Sequence, residues 1–301
     1  MSKVSTVREV HVAVDGPIPM AEAIRRGMAD CSPAERKVAR VLLSSYPSAG
    51  FETVAKLAAR AGVSGPTVLR FANRLGYRGF PDFQQALRDD LDERSASPID
   101  LYDRNRSDDG PGEASGLGRA ATITRGTLDR TFDALVPDEF DRAVELLCTP
   151  RTRVLVAGGR FSGLLSRLLA QHLQLLRPGV TALPGDDAGR IEAVAGLRRG
   201  DVVVLFDYRR YEEPTRRLAA TARDRKASVV LFTDAWLSPI ASEADVVLPS
   251  ETDSPSAAFD AMTPVLAIVE ALIAACAERL GDAASTRMRE VEEAGRELGL
   301  Y

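Results

Sequence analysis

Cysteine, histidine and tryptophan are all scarce. The 301-residue chain holds three cysteines, two histidines and one tryptophan. Cys31, Cys148 and Cys276 are far apart, odd in number and free of any C-x-x-C pair. That spacing excludes a disulfide framework and fits a reducing cytoplasm, the expected location. His11 and His172 lie near no cysteine and not near each other. A His/Cys metal site is therefore not expected, and nothing implies a cofactor. No apolar run approaches the ~18 residues of a membrane span, so no membrane partner is expected. Residues 1–10 carry an acid early and lack an apolar core segment, so they do not read as a signal peptide. A large excess of one charge is also missing. The net charge is -4, so DNA binding must come from a local patch if it occurs.

What is present is ordinary for a globular protein: 45% hydrophobic and 27% charged residues. The length suits about two domains of ~150 residues each. Residues 1–18 read as a loose arm. From 19 to 94 the pattern is helical throughout, with helices expected over about 20–30, 33–46, 52–61, 65–75 and 80–93. Ser32-Pro33-Ala34-Glu35 has the form of a capping box with proline in the first turn. Residues 95–115 hold Ser-Pro and Asp-Asp-Gly-Pro-Gly chemistry and read as a linker. Two helical stretches, 116–134 and 138–147, lead into a second half, 116–281, with a different period. There, short continuous apolar segments at 154–157, 180–183, 201–206, 228–232 and 245–248 alternate with helical stretches. The last of these is a long apolar helix over 257–280. Such alternation predicts a parallel sheet covered on both faces.

The stretch from Val54 to Leu75 is the most informative. Two short helices meeting steeply need a small residue at the contact, a turn residue tolerant of positive φ, and an apolar residue inside the second helix. Ala58, Gly62 and Val68 stand at those positions, with Leu57 and Phe71 completing the buried set. This is a helix-turn-helix. Its second helix is expected to show Ser64, Thr67, Arg70, Asn73 and Arg74 to the outside, residue types that reach phosphates and base edges. Ser64, Gly65, Thr67 and Arg70 are the candidates for base or near-base contacts. Lys56, Arg74 and Arg78 are candidates for phosphate contacts. Residues 51–88 hold six Lys/Arg against two acids, an excess of four positive charges in an acidic chain. A small helical bundle with solvated arginines is the plainer alternative. Phe71, Leu75 and Phe83 read as core.

In the second half, Gly158-Gly159-Arg160-Phe161-Ser162 follows a strand and opens a helix. Backbone N–H groups at such a turn can hold an anion, and the Ser162 hydroxyl could join them. A plain tight turn explains the two glycines nearly as often. After the strand 202–206 comes Asp207-Tyr208-Arg209-Arg210-Tyr211, at the carboxyl end of a parallel strand, where such sheets bind ligands. Arginine suits bidentate contact with carboxylate or phosphate. Arg160 with Arg209 or Arg210 would make a pocket for an anion. Alternatively the arginines pair with Asp207, Glu212 or Glu213, or serve a subunit interface. Thr233-Asp234 ends the next strand and is a further candidate lining pair.

Three stretches together resemble the N-terminal domain of the RpiR (MurR/RpiR) transcription regulators: 32–39 (SPAERKVA), 61–71 (AGVSGPTVLRF) and 75–80 (LGYRGF). The resemblance runs from Pro19 to about Gly281. It implies an all-α helix-turn-helix bundle followed by a SIS (sugar isomerase) domain, an α/β three-layer parallel sheet of flavodoxin type. It further implies an operator in double-stranded DNA, a small effector such as a sugar phosphate, and assembly into a homodimer or homotetramer. The family's G-x-G-x-S turn has Arg160 in place of its second glycine here and keeps Ser162. Its serine- and threonine-rich phosphate loop is replaced by 206–215, which has no serine. Glu251 matches the position where isomerase relatives carry a general base; Asp260, just beyond, reads as a local capping residue. His172 falls mid-helix on what reads as a packed face. Two other readings stand beside the effector-controlled regulator. One is a sugar-phosphate isomerase using Glu251; with the phosphate-holding serines gone, no catalytic residue is assigned. The other is a regulator whose second domain only oligomerises, through 116–147 and 257–280.

Overall fold

Side-chain caps start two helices of the first half. In the computed structural model, which describes residues 20–95, 97–106, 116–184, 186–256 and 258–300, helix α1 (Met20–Gly27) is followed by α2 (Pro33–Ser44). The capping box at α2 is formed: Glu35 N–H donates to Ser32 Oγ at 3.3 Å, and Ser32 N–H donates to Glu35 Oε2 at 2.8 Å. Helix α3 (Val54–Ala61) is capped by Thr53 and stopped by Gly62, which takes φ 61°. The Gly62 and Val63 N–H groups donate back to Ala59 and Ala58 carbonyls, so the turn satisfies the end of α3. Helix α4 (Gly65–Arg74) and helix α5 (Phe80–Ser95) complete the bundle. Leu57, Val68, Phe71, Phe83 and Leu87 form its centre, each at most 1% exposed.

The expected linker is partly helical. Helix α6 (Pro98–Arg106) begins on a second capping box, with Asp100 N–H donating to Ser97 Oγ at 3.3 Å and Ser97 N–H to Asp100 Oδ2 at 2.8 Å. Ser97-Pro98-Ile99-Asp100 thus repeats the start of α2, so Ser-Pro here opens a helix instead of a loop. The arm expected over 1–18 and residues 107–115 of the expected linker lie outside the described residues.

Helices α7 (Gly116–Ala134) and α8 (Pro137–Cys148) lead to five strands: β1 (Val154–Gly158), β2 (Val180–Ala182), β3 (Val202–Phe206), β4 (Ser228–Asp234) and β5 (Val246–Ser250). All pair in parallel, in the order β2-β1-β3-β4-β5. Alternate side chains sort to the two faces. Val154, Val156, Val202, Val204, Phe206, Val230 and Phe232 pack against α8, α9 (Ser162–Leu176) and α12 (Thr263–Leu280). Leu155, Ala157, Val203, Leu205, Val229 and Leu231 pack on the other face, where α11 (Glu213–Asp224) contributes Leu218, Ala219 and Ala222. Between them in sequence lies α10 (Asp187–Ala195). The layers are therefore α/β/α, as the apolar strands require.

Three expectations shift. The apolar helix expected over 257–280 begins at Thr263, with Pro264 in its first turn. A last helix, α13 (Asp282–Glu297), was not expected; it packs on α9 although it has few apolar residues. His172 is exposed, not packed, its Nδ1 2.9 Å from the Leu168 carbonyl one turn earlier. No helix among the described residues is long and apolar enough to cross a membrane.

Candidate DNA-reading helix and effector cleft

Helix α4 lies across α2 and α3, buried through Thr67, Val68, Phe71 and Ala72. Its outer face shows Ser64, Pro66, Leu69, Arg70, Asn73 and Arg74. Thr67 differs from expectation. It is 4% exposed, and its Oγ1 lies 3.0 Å from Ser64 Oγ and accepts from Arg70 Nη2 at 3.1 Å. Its hydroxyl holds Ser64 and Arg70 at the start of the outer face. Leu69, 41% exposed, is a further outer residue without a sequence-based assignment; leucine is a type that can make apolar contact with a thymine methyl.

The basic candidates are not equivalent. Arg74 reaches back to α2, its Nη2 3.4 Å from Glu35 Oε2 and its Nε donating to Glu35 Oε1 at 3.4 Å. Glu35 is itself buried, and hydrogen bonding from Ser32, opposed by burial and helped by Arg74, holds its carboxyl below the usual glutamate value. Arg74 therefore ties two helices together. Lys56 stays largely exposed beside Glu52 at 3.4 Å. Arg78 is exposed at the start of α5, where its backbone N–H donates to Asp82 Oδ2 at 3.0 Å. Gly65 opens α4 just beyond Ser64.

The second candidate site is a cleft of about 380 Å³ at the carboxyl ends of β1 and β3. In the order β2-β1-β3-β4-β5 those strands flank the point where the chain reverses direction across the sheet, the usual ligand crevice of this topology. Gly159, Arg160, Ser162, Asp207, Tyr208, Arg209 and Arg210 line it, as expected. Pro98, Phe161, Phe206, Glu212, Phe259, Asp260 and Met262 line it too and were not assigned to it from the sequence. Gly158, Thr233 and Glu251 are not among the lining residues.

The two glycines differ: backbone demands the first, and only a movable side chain stands against the second. A Cβ on Gly158 would come within 2.9 Å of the Ser162 and Gly163 backbone, so β1 and α9 meet only through glycine. A Cβ on Gly159 would come within 2.6 Å of Glu212 Oε1. Ser162 serves the turn: its Oγ accepts from Gly159 N–H at 3.0 Å and donates to the Phe206 carbonyl at 3.1 Å, joining β1 to β3. Thr233 is similarly internal, its Oγ1 accepting from Ser238 N–H at 2.9 Å. Asp207 is buried, accepts from Glu212 N–H at 3.2 Å and takes a short hydrogen bond from the Ser238 hydroxyl.

Three arginines differ in their surroundings. The Arg209 side chain is 8% exposed and forms a close ion pair with Asp260, which is therefore a long-range partner and not a local cap. Arg210 takes φ 72°, an uncommon conformation for a residue with a side chain. Arg160 is exposed, its guanidinium 5.3 Å from the Phe161 ring centroid. Burial pushes the Tyr208 phenol far above its ordinary value, and its hydroxyl lies 2.9 Å from Ser250 Oγ. Tyr208 is thus a neutral group across the working range. Glu251 stands at the end of β5, its N–H donating to Thr131 Oγ1 of α7 at 3.1 Å.

Residues 18–94 match the model of the helix-turn-helix domain of the rpiR family, and residues 147–275 that of the SIS domain. The HTH-type transcriptional regulator HexR of Escherichia coli (strain K12) is 32% identical over 243 residues, which is 78% of this chain and 80% of HexR. The sugar isomerase domain of an RpiR transcription factor from Sphaerobacter thermophilus superposes with a TM-score of 0.54 at 27% identity, over 58% of this chain and 97% of that one. The Vibrio vulnificus NanR protein, solved with ManNAc-6P, superposes with a TM-score of 0.52 at 21% identity, over 92% of this chain and 98% of NanR. The helix-turn-helix bundle, the five-stranded parallel domain and the HexR relationship agree: the chain belongs to the rpiR family of helix-turn-helix transcriptional regulators that carry a SIS domain.

Proposed function

We propose that this regulator binds its operator through the outer face of α4 and is controlled by a small anionic metabolite of the sugar-phosphate class bound in the β1/β3 cleft. The observation that carries the reading is the coincidence of three arginines, Arg160, Arg209 and Arg210, at the crevice where this sheet topology takes ligands. Arg160 and Arg210 stand at the mouth and suit the anionic group. Tyr208 stays neutral beside Ser250 and adds no competing negative charge. No serine-rich loop follows β3, so the arginines take over the anion.

The same geometry speaks for regulation and against isomerisation. Glu251, the acid that would serve as base, does not line the cleft, and neither does a histidine. A base must reach the proton it removes. We also assign homo-oligomer formation to the second domain: Leu164 on α9 and Phe161 just before it are 60% and 50% exposed, and paired copies would present two α4 helices to an inverted repeat.

The test is thermal stabilisation by a panel of sugar phosphates, ManNAc-6P included, on the unaltered protein and on Arg160→Ala/Arg210→Ala. A ligand that binds only the folded state raises the melting temperature. The reading requires stabilisation of the unaltered protein and its loss in the double variant. Equal stabilisation of both removes the arginines from the site. Turnover of aldose or ketose phosphates by the protein would replace regulation with catalysis.

A further inference from the structure

Trp236 is the single tryptophan of the chain. It stands in the turn after β4, where Leu237 takes φ 60° and the Trp236 N–H donates to Asp234 Oδ1 at 3.1 Å. Its ring is half-buried and touches two different parts of the molecule. On one face lies the Arg209 guanidinium, its Cζ 4.9 Å from the ring centroid. At the edge, the indole N–H donates to Asp90 Oδ1 on α5 at 3.1 Å. That carboxylate also accepts the Tyr46 hydroxyl at 2.6 Å and the Met20 N–H at 3.0 Å. One acid thus holds the start of α1, the segment between α2 and α3, and the second domain.

The two contacts strengthen each other. A carboxylate at the N–H makes the ring face more negative, which favours the cation above it. A cation on the face makes the N–H a better donor, as in other polarised networks. Arg209 is at the same time a wall of the cleft and the partner of Asp260.

We infer that Trp236 is the residue through which the state of the cleft reaches the DNA-binding domain. The inference rests on the cleft assignment proposed above. A ligand anion that takes the Arg209 guanidinium draws it from the indole face, weakens the N–H bond to Asp90 and lets the helix-turn-helix bundle move against the second domain. Linkage requires the reverse as well: operator binding changes ligand affinity by the same factor.

The experiment is a double-mutant cycle on the full chain, read as affinity for an operator fragment selected by the protein itself. Trp236→Phe keeps an aromatic ring beneath Arg209 and removes the N–H donor. Arg209→Gln removes the cation; Asp260→Asn, which frees the cation from its acid, replaces it if Arg209→Gln fails to fold. The expected result is a change in operator affinity of about fivefold or more for the cleft variant beside Trp236. Beside Trp236→Phe the same variant should give little change. Equal changes in both backgrounds, or none in either, overturn the inference. Inorganic phosphate supplies the second readout, through the emission of the single tryptophan. Phosphate should shift that emission with the midpoint at which it raises the melting temperature. Stabilisation with unchanged emission overturns the coupling and leaves the cleft assignment standing. No stabilisation by phosphate counts against the cleft assignment, and the cycle still decides the coupling.

Discussion

Replacing Arg78 and Arg74 separately by alanine should give opposite kinds of result, although both are arginines of the proposed DNA-binding surface. Arg78 is exposed at the start of α5 and forms no ion pair among the described residues. As a phosphate contact it releases one condensed counterion, which contributes about 0.9 to the slope of log affinity against log salt. Between 50 and 200 mM salt that is about 3.5-fold in affinity for each contact, and about 12-fold for two subunits on one operator. Arg78→Ala should flatten the slope by that amount while leaving the melting temperature nearly unchanged. Arg74 is committed to Glu35, 3.4 Å away and 3% exposed. Arg74→Ala leaves a buried carboxylate with one partner fewer, a loss of about 1–3 kcal/mol of stability. It should lower the melting temperature and change the slope little. The assay is a fluorescence-anisotropy titration at four salt concentrations, with a thermal melt of each variant. An unchanged slope for Arg78→Ala, or a flattened slope with an unchanged melt for Arg74→Ala, refutes this division of labour.

Other consequences follow from single features. Glu35 has a lowered folded value, so its contribution is complete above the ordinary glutamate value near 4.5 and is lost as pH falls through the folded value. Acid titration of stability should therefore be shallower in Glu35→Gln, and an identical acid limb would contradict it. Gly158→Ala should destabilise the second domain by about 1–3 kcal/mol, because the added methyl meets backbone atoms that define the β1–α9 turn. Chemical denaturation measures that, and a neutral effect would mean the turn can open. Leu69→Ala should cost about 1 kcal/mol of operator affinity at a site containing thymine, on the scale of one buried methyl, and nothing where that base is replaced by uracil, which lacks the methyl. Arg177 is buried and donates to the Thr149 carbonyl at 3.0 Å and to the Leu147 carbonyl, so Arg177→Met should lower the melting temperature by stranding both acceptors. An unchanged melt would show that other donors serve them.

The parts of this molecule that depend on periodicity or local steric demand were legible in the sequence. Ala58, Gly62 and Val68 fix the helix-turn-helix because each position tolerates few side chains. The strands showed themselves because a sheet covered on both faces needs unbroken apolar runs such as Val202–Phe206. What depends on long-range geometry was not legible. The Arg209–Asp260 pair joins positions 51 apart, and nothing near either residue announces it. Thr67 reads as an outer residue because its hydroxyl suits DNA, yet it is buried with Val68 and its hydroxyl is taken by Ser64 and Arg70. Ser97-Pro98 shows a real ambiguity: the same dipeptide chemistry marks linkers and opens helices, and Asp100 three residues later was the available signal. Helix α13 has too few apolar residues to declare a buried face, and becomes visible only against α9.

The most direct test of the whole account is operator selection from genomic fragments with the purified protein, followed by a gel shift at the best site with and without sugar phosphates. The account predicts a sharp inverted-repeat site whose affinity changes with one such metabolite, and a loss of that response in Arg160→Ala/Arg210→Ala. A sharp site indifferent to every anionic metabolite, or a response that survives the double substitution, would contradict it.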